Sequence, residues 1–286
     1  MYVDAIVNGL LIGGFYAVVA LGLSLVFGVL RLINLAHGEL VIGGAYLALL
    51  LGTSLGLGPW TALPLVMAVV GLVAYVVQRY LLTTLLVRRA EGAMVATFGI
   101  SLLAQGVFAQ QFTSSPKSLD TPLGTSGVSL FGVQTRGIYL VAFGISVVLC
   151  AVAHGVLTRT RLGTVVRAAA ADPSTAGLMG IDVKRVYASV FAVGAAVAAL
   201  GGVLVGTTFS VTPTTGTQYL LVGIAVVVLG GVGNVLGTFL GALSLGLVQS
   251  LAAAQFGGGY RDLAVYLLFF LVLVVRPQGL FVRRTA

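Results

Sequence analysis

Apolar runs of roughly 18 residues or more recur along nearly the whole chain, and no other feature of the sequence restricts its folding so severely. Coiled as a helix, each run crosses a hydrocarbon core of about 30 Å. Hydrophobic residues make up 59% of the 286, and aspartate plus glutamate number only seven, so the surface of any compact form must be largely apolar. Such a surface fits lipid as its solvent, not water. A β-barrel is excluded, because the lumen-facing half of each strand would have to be polar. Helices satisfy their own backbone groups in hydrocarbon. The expectation is therefore an all-α polytopic membrane protein, a single transmembrane domain over residues 1–286.

Charged and turn-rich breaks divide the chain into about nine crossings (eight to ten), near 5–30, 38–57, 61–78, 92–111, 138–157, 186–206, 219–235, 237–256 and 260–275. With the N-terminus outside and the C-terminus cytoplasmic, alternate loops place twelve of the fifteen basic residues inside: Arg31, Arg79, Arg88, Arg89, Arg159, Arg161, Arg167, Lys184, Arg185, Arg276, Arg283 and Arg284. Only Lys117, Arg136 and Arg261 stay outside, which is the asymmetry the positive-inside rule demands. Gly230 and Gly231 interrupt the seventh run. A re-entrant loop there would reverse the last helix and move Arg276, Arg283 and Arg284 outside, so a broken but complete crossing is expected. The net charge of +8 is thus a topology signal; the basic residues form no single patch that would suit nucleic acid.

No basic residue precedes the first apolar run, so that run reads as a retained span and not as a signal peptide. Cys150 is the only cysteine, which leaves no disulfide framework and no thiolate metal cluster. Glycine spacings of four (Gly9/Gly13, Gly202/Gly206 and Gly233/Gly237/Gly241) suit close packing of helices in lipid. Residues 112–137, rich in Ser, Thr, Gly and Pro, fall outside, and the VSLFGVQ alternation around Phe131 and Gly132 suggests a small hairpin. The segment suits contact with an external partner or a passive covering role.

The cytoplasmic segment 158–185 carries a helix start at Asp172-Pro173, an acceptor followed by a residue of preset φ, and a helix stop at Gly180. A short helix, Pro173 to Met179, is expected between two amphiphilic arms. Ser174, Thr175, Ala176 and Gly177 are read as its small exposed face. Such a knob suits docking into a groove on another protein, although it also serves as a plain connection. No G-x-x-x-x-G-K-[ST] phosphate loop exists, since Lys117 and Lys184 are the only lysines and neither ends a glycine loop. If ATP drives this chain, a separate protein hydrolyses it, and the chain itself needs no cofactor.

In LINLAHGELVIGGAY, Asn34, His37 and Glu39 concentrate polarity at the cytoplasmic end of the first two spans. Polar groups in hydrocarbon are costly, so they line an aqueous path or satisfy backbone groups at a helix break. One reading makes the trio a structural turn, with Asn34 capping the second helix, Glu39 complementing its dipole and Gly38 admitting a neighbour. The other makes His37 and Glu39 part of an inner gate. Thr97 and Ser101, four apart on one helix face, either bond back to their own helix or face the path. His154 reads as a packed or interfacial histidine, and Asp262 beside Arg261 as an external surface pair. No catalytic and no metal-ligating constellation is expected, since two histidines, one cysteine and no H-E-x-x-H or G-x-S-x-G supply none. A self-sufficient channel or ion-coupled transporter would carry ionisable groups deep in the bundle.

The blocks GLSLVFGVLRLINLAHGELVIGGAY, VATFGISLLAQ, RLGTVVRAAAADPSTAGLMGID, GGVGNVLGTFLGA and RPQGLF resemble the permeases of branched-chain amino acid ABC importers, a family that also includes urea and amide permeases. The resemblance covers nearly the whole chain. It implies a multi-pass subunit of the bacterial plasma (inner) membrane, working with a homologous second permease, two ATP-binding cassette ATPases and an external solute-binding protein. It places the cytoplasmic coupling segment on Arg167 through Ile181, with Ala176 and Gly180 at small positions, and makes a translocation path beside Thr97 and Ser101 the favoured reading. Branched-chain amino acids are the default cargo it implies, with urea, amides and small aromatic acids as alternatives.

Overall fold

The computed structural model describes residues 2–88, 90–130, 132–276 and 279–281. Arg89, Phe131, Arg283 and Arg284 lie outside the described residues. The apolar runs form α1 (Tyr2–Leu30), α2 (His37–Leu55) and α3 (Pro59–Val76), which continues through a π-helical turn, Val77–Leu82, into α4 (Thr83–Arg88). Next come α5 (Ala90–Phe112), a short α6 (Pro122–Thr125), and the hairpin of β1 (Gly127–Leu130) and β2 (Val133–Arg136). The hairpin is antiparallel, with Gly127 opposite Arg136 and Leu130 opposite Val133. The second half holds α7 (Gly137–Arg159), α8 (Arg161–Ala171), α9 (Pro173–Leu178), α10 (Val183–Thr208), α11 (Thr215–Gly230), α12 (Val235–Phe256) and α13 (Arg261–Val275).

Among the described residues, eight helical stretches are long and apolar enough to cross a membrane, and α11 is a shorter apolar helix. At 1.5 Å per residue its 16 residues span only about 24 Å. The interruption expected at Gly230 and Gly231 is present, and the helix before it starts at Thr215, four residues ahead of the expected 219. Gly230 is the last helical residue and Gly231 (φ 90°) the C-cap, so the glycines end the helix. The missing length lies on the N-terminal side, where residues 209–214 are not helical.

Uniformly apolar helices belong in the centre of a bundle. Accordingly α1 and α10 are the most buried, and α5, α7 and α13 turn most of their side chains outward. The close crossings run through glycine, since a Cβ would occupy the space of the neighbouring backbone. A Cβ on Gly22 would lie 2.3 Å from the Gly194 oxygen, and one on Gly202 would lie 1.7 Å from the Val41 oxygen. Gly9 and Gly13 seat α12 on α1, while Gly237 and Gly241 seat α11 on α12.

The two halves repeat one another. In each, a long central helix (α1, α10) is followed by six non-helical residues (31–36, 209–214) and a second helix (α2, α11) whose second residue is glycine, Gly38 or Gly216. Their neighbours correspond as well. Helix α1 packs on α12 as α10 does on α3, α2 on α10 as α11 on α1, α2 on α3 as α11 on α12, and α2 on α5 as α11 on α13. The central helices run antiparallel, with Gly22 opposite Gly194 and Val19 opposite Gly201. The halves are thus related by an inversion, the arrangement of inverted-topology transporter repeats.

The segment between α5 and β1 lies over the second break. Lys117 and Val211 exchange backbone hydrogen bonds of 2.9 and 2.7 Å, and the Leu119 amide donates to the Gly206 carbonyl at 2.8 Å. At the opposite end of α11, Asn234 caps α12 by accepting from the Gly237 amide at 3.0 Å and donates to the Phe281 carbonyl at 3.1 Å.

Candidate functional site

After α1 the chain turns at Arg31 (φ 51°) and re-enters the bundle. The depth is set by His37, whose Nε2 lies 3.0 Å from the Val19 carbonyl oxygen. Val19 stands eleven residues before the end of α1, about 16 Å along its axis. Helix α2 therefore begins deep inside the bundle, not at the membrane surface. Asn34 does not cap it, contrary to expectation. The N-cap is Ala36, without a side-chain hydrogen bond, and Asn34 Oδ1 accepts instead from the Ala36 amide at 3.0 Å. An extended segment must turn before it can coil, and the asparagine serves that turn.

Glu39 falls in the first turn of α2, as expected. Its Oε1 accepts from Gln105 Nε2 at 2.8 Å and from the Ser101 hydroxyl at 3.2 Å. Gly38 admits the neighbour: a Cβ there would lie 1.9 Å from the Gly216 oxygen. The trio is thus divided, with His37 bound to α1 and Glu39 turned toward α5 and the start of α11. Thr97 and Ser101 also differ. Thr97 bonds back to the Met94 carbonyl at 2.8 Å and accepts the Leu35 amide at 3.2 Å, whereas Ser101 reaches Glu39. Gln105 was not singled out from the sequence, although the four-residue spacing of Thr97, Ser101 and Gln105 puts all three on one helical face.

The second candidate surface is α9. Asp172 is its N-cap, accepting from the amides of Ser174 at 3.0 Å and Thr175 at 3.2 Å and from both hydroxyls at 2.5 Å. The helix ends one residue before the expected Met179, which is the C-cap. Gly180 (φ 84°) and bonds from the Ile181 amide to the Ala176 carbonyl and from the Gly180 amide to the Gly177 carbonyl close a Schellman turn. The expected face of small exposed residues needs correction. Ser174, Thr175 and Gly177 are exposed, but Ala176 is buried, because it points back to the base of the segment. The most exposed side chains are large and apolar, Leu178 at 88% and Met179 at 79%. Arg167 is exposed on α8 and donates to the Thr164 hydroxyl at 3.4 Å. The following turn is held by Asp182, which caps α10 by accepting the Arg185 amide at 3.0 Å and pairs with the Arg185 side chain at 2.8 Å.

The Ser174 and Thr175 hydrogen bonds hold the Asp172 carboxyl well below the usual carboxylate range. A depressed value means that the ionised cap adds stability fully above about pH 3.9, the ordinary aspartate value, and loses it as pH falls toward the folded value. Slowed amide exchange at Ser174 and Thr175 is expected at neutral pH. Asp172→Ala should remove that protection at neutral pH while leaving exchange in α10 unchanged; equal protection in the variant would show that the cap does not hold α9.

Other polar positions are simpler. His154 is half-buried beside Arg167 and Asn234 in a groove of about 260 Å³. Arg261 and Asp262 are exposed at the mouth of a cavity of about 230 Å³ lined by Phe15, Tyr139 and Tyr219. Cys150 is buried. No group of three or more His, Cys, Asp or Glu side chains that would hold a metal occurs among the described residues.

Relatives bear on what these surfaces serve. The chain is 31% identical to the high-affinity branched-chain amino acid transport system permease protein BraD of Pseudomonas aeruginosa, over 98% of this chain and 95% of the relative. It is 28% identical to the permease protein LivH of Escherichia coli, over 98% and 95%, and 29% identical to a probable LivH of Methanocaldococcus jannaschii, over 91% and 86%. No solved structure gives a significant match. The family described as branched-chain amino acid transport system, permease component, matches residues 5–275. A polytopic helical bundle, matched along nearly all its length, this chain belongs to that family of ABC-importer membrane permeases.

Proposed function

We propose that this chain forms the translocation path for branched-chain amino acids in an ATP-driven importer and receives its drive through α9. The observation that carries the reading is the rigid, doubly capped α9, which exposes Leu178 and Met179 beside a chain without a phosphate loop. Two ATP-binding cassette subunits hydrolyse ATP, and the chain holds no cofactor of its own. A homologous second permease completes the membrane core, and an external solute-binding protein delivers cargo. The N-terminus lies outside and the C-terminus in the cytoplasm. This orientation gathers α8, α9, Asp182 and the basic residues at the motor side, and leaves the hairpin and the 113–121 segment to meet the binding protein. His37 is a packing strut, and Glu39 with Ser101 and Gln105 belongs to the path.

Co-expression with the neighbouring ATPases and binding protein tests this. Leucine uptake and co-purification of the ATPases are expected, and deletion of Pro173 to Leu178 should abolish both without lowering the amount of permease in the membrane. Uptake that persists without ATPases would favour a self-sufficient transporter, and retained ATPases after the deletion would refute docking at α9.

A further inference from the structure

Two helix N-termini meet inside the bundle, because the breaks at 31–36 and 209–214 bring the starts of α2 and α11 together at Gly38 and Gly216. The Glu39 carboxylate lies at that junction. A Cβ on Gly216 would be 2.8 Å from both of its oxygens. The residue is 5% exposed, and although Oε1 takes two hydrogen bonds, the buried Oε2 has no partner. The ion pairs found among the described residues join Asp182 to Arg79 and Arg185; none reaches Glu39. The buried Oε2 is thus an acceptor oxygen for which the described residues supply no donor.

The surroundings indicate the donor. Gln105 is only half-buried, so the junction lies at the flank of the chain beside α5. A carboxylate and an amide facing hydrocarbon are costly, so this flank borders water or protein instead. On the same side of α5, Phe98 and Leu102 are exposed at 51% and 52% and neighbour Ser101 and Gln105 at helical spacing. One unsatisfied carboxylate oxygen beside apolar side chains matches a solute that carries an ammonium group and an apolar side chain.

We propose that Glu39, with Ser101 and Gln105, is a transit site for the ammonium group of an amino acid at the junction of the two inverted halves. The cargo assignment rests on the proposed function above; the site itself rests on the geometry.

The test places a reporter at the site and works on the full complex in membranes. Gln105→Cys is reacted with a trimethylammonium methanethiosulfonate and with its sulfonate counterpart, the unsubstituted chain with its buried Cys150 serving as the blank. Relative to each reagent's rate with a free thiol, the cationic reagent should react on the order of tenfold faster, and the isosteric change Glu39→Gln should remove this excess preference without altering membrane yield. Glu39→Asp, which keeps the charge, should retain it. L-Leucine should slow the reaction and its deaminated analogue, 4-methylpentanoate, should not. No reaction with either reagent, or equal rates with Glu39 present, would overturn the site. Protection by methylammonium but not by leucine would uphold the ammonium site and refute the branched-chain cargo.

Discussion

Gly202→Ala is expected to leave almost no folded permease in the membrane, and Gly38→Ala to do nearly the same. The added methyl would stand 1.7 Å from the Val41 oxygen in the first case and 1.9 Å from the Gly216 oxygen in the second. In both cases the obstacle is backbone, which no rotamer change can move aside. Accommodating a methyl in a close-packed interior by shifting side chains costs about 1–3 kcal/mol. Parting two helices along their crossing costs more, and effects above about 4 kcal/mol consume much of the 5–15 kcal/mol that holds a typical fold. Gly38 and Gly202 both seat α2, the helix that carries Glu39, so the loss strikes the proposed path and the fold together. Gly99→Ala and Gly106→Ala are the controls, since, beyond the local backbone of α5 itself, no described residue lies within 4 Å of a Cβ at either place. Their yields after detergent extraction and size-exclusion chromatography should equal that of the unsubstituted chain. Comparable yields for Gly202→Ala would mean that α2 and α10 do not cross on this glycine.

Much of this arrangement was legible in the sequence because lipid imposes simple rules. Run length and the charged, turn-rich breaks pointed to the helices, and eight of nine expected crossings are present among the described residues as long apolar helices. Asp172-Pro173 and Gly180 marked α9 to within a residue, since capping is local chemistry. What depends on distant chain segments was not legible. Asn34 has the side chain of a cap, yet the depth at which α2 starts is fixed by His37 meeting Val19, and no local pattern encodes it. Residues 209–214 fall in the connection expected between the sixth and seventh runs, but their pairing partner is equally invisible to local pattern. Gly230-Gly231 is the conspicuous interruption in sequence, while residues 209–214 remain non-helical through pairing with Lys117. Gln105 escaped notice because a glutamine near a span end is unremarkable until Glu39 is known to face it. Ala176, expected on the exposed face, is buried and Leu178 is the most exposed residue of α9, since which side of a six-residue helix faces inward is decided by its anchors and not by its composition.

Changing Leu178 and Met179 together to serine should weaken ATPase association by about a hundredfold or more, with leucine uptake falling in parallel. Both side chains stand almost wholly in solvent, on a helix whose ends are fixed by Asp172 and by the Gly180 turn. Fully burying a leucine or methionine contributes about 1.5–3 kcal/mol each, so the pair would supply about 3–6 kcal/mol if a groove on the ATPase encloses both. At about 1.4 kcal/mol per tenfold in affinity, even the lower bound gives two orders of magnitude. Neither side chain packs against the membrane domain to any large extent, so permease yield should not change, which separates a docking defect from a folding one. Asp172→Ala makes a useful companion. It leaves both apolar side chains in place but loosens the helix that presents them, and should weaken association less than the double change. Undiminished association after the double change would move the motor contact elsewhere on this end of the bundle, where Leu162 of α8 is 72% exposed. Leu162→Ser would then test the α8 arm: lost association would place the contact there.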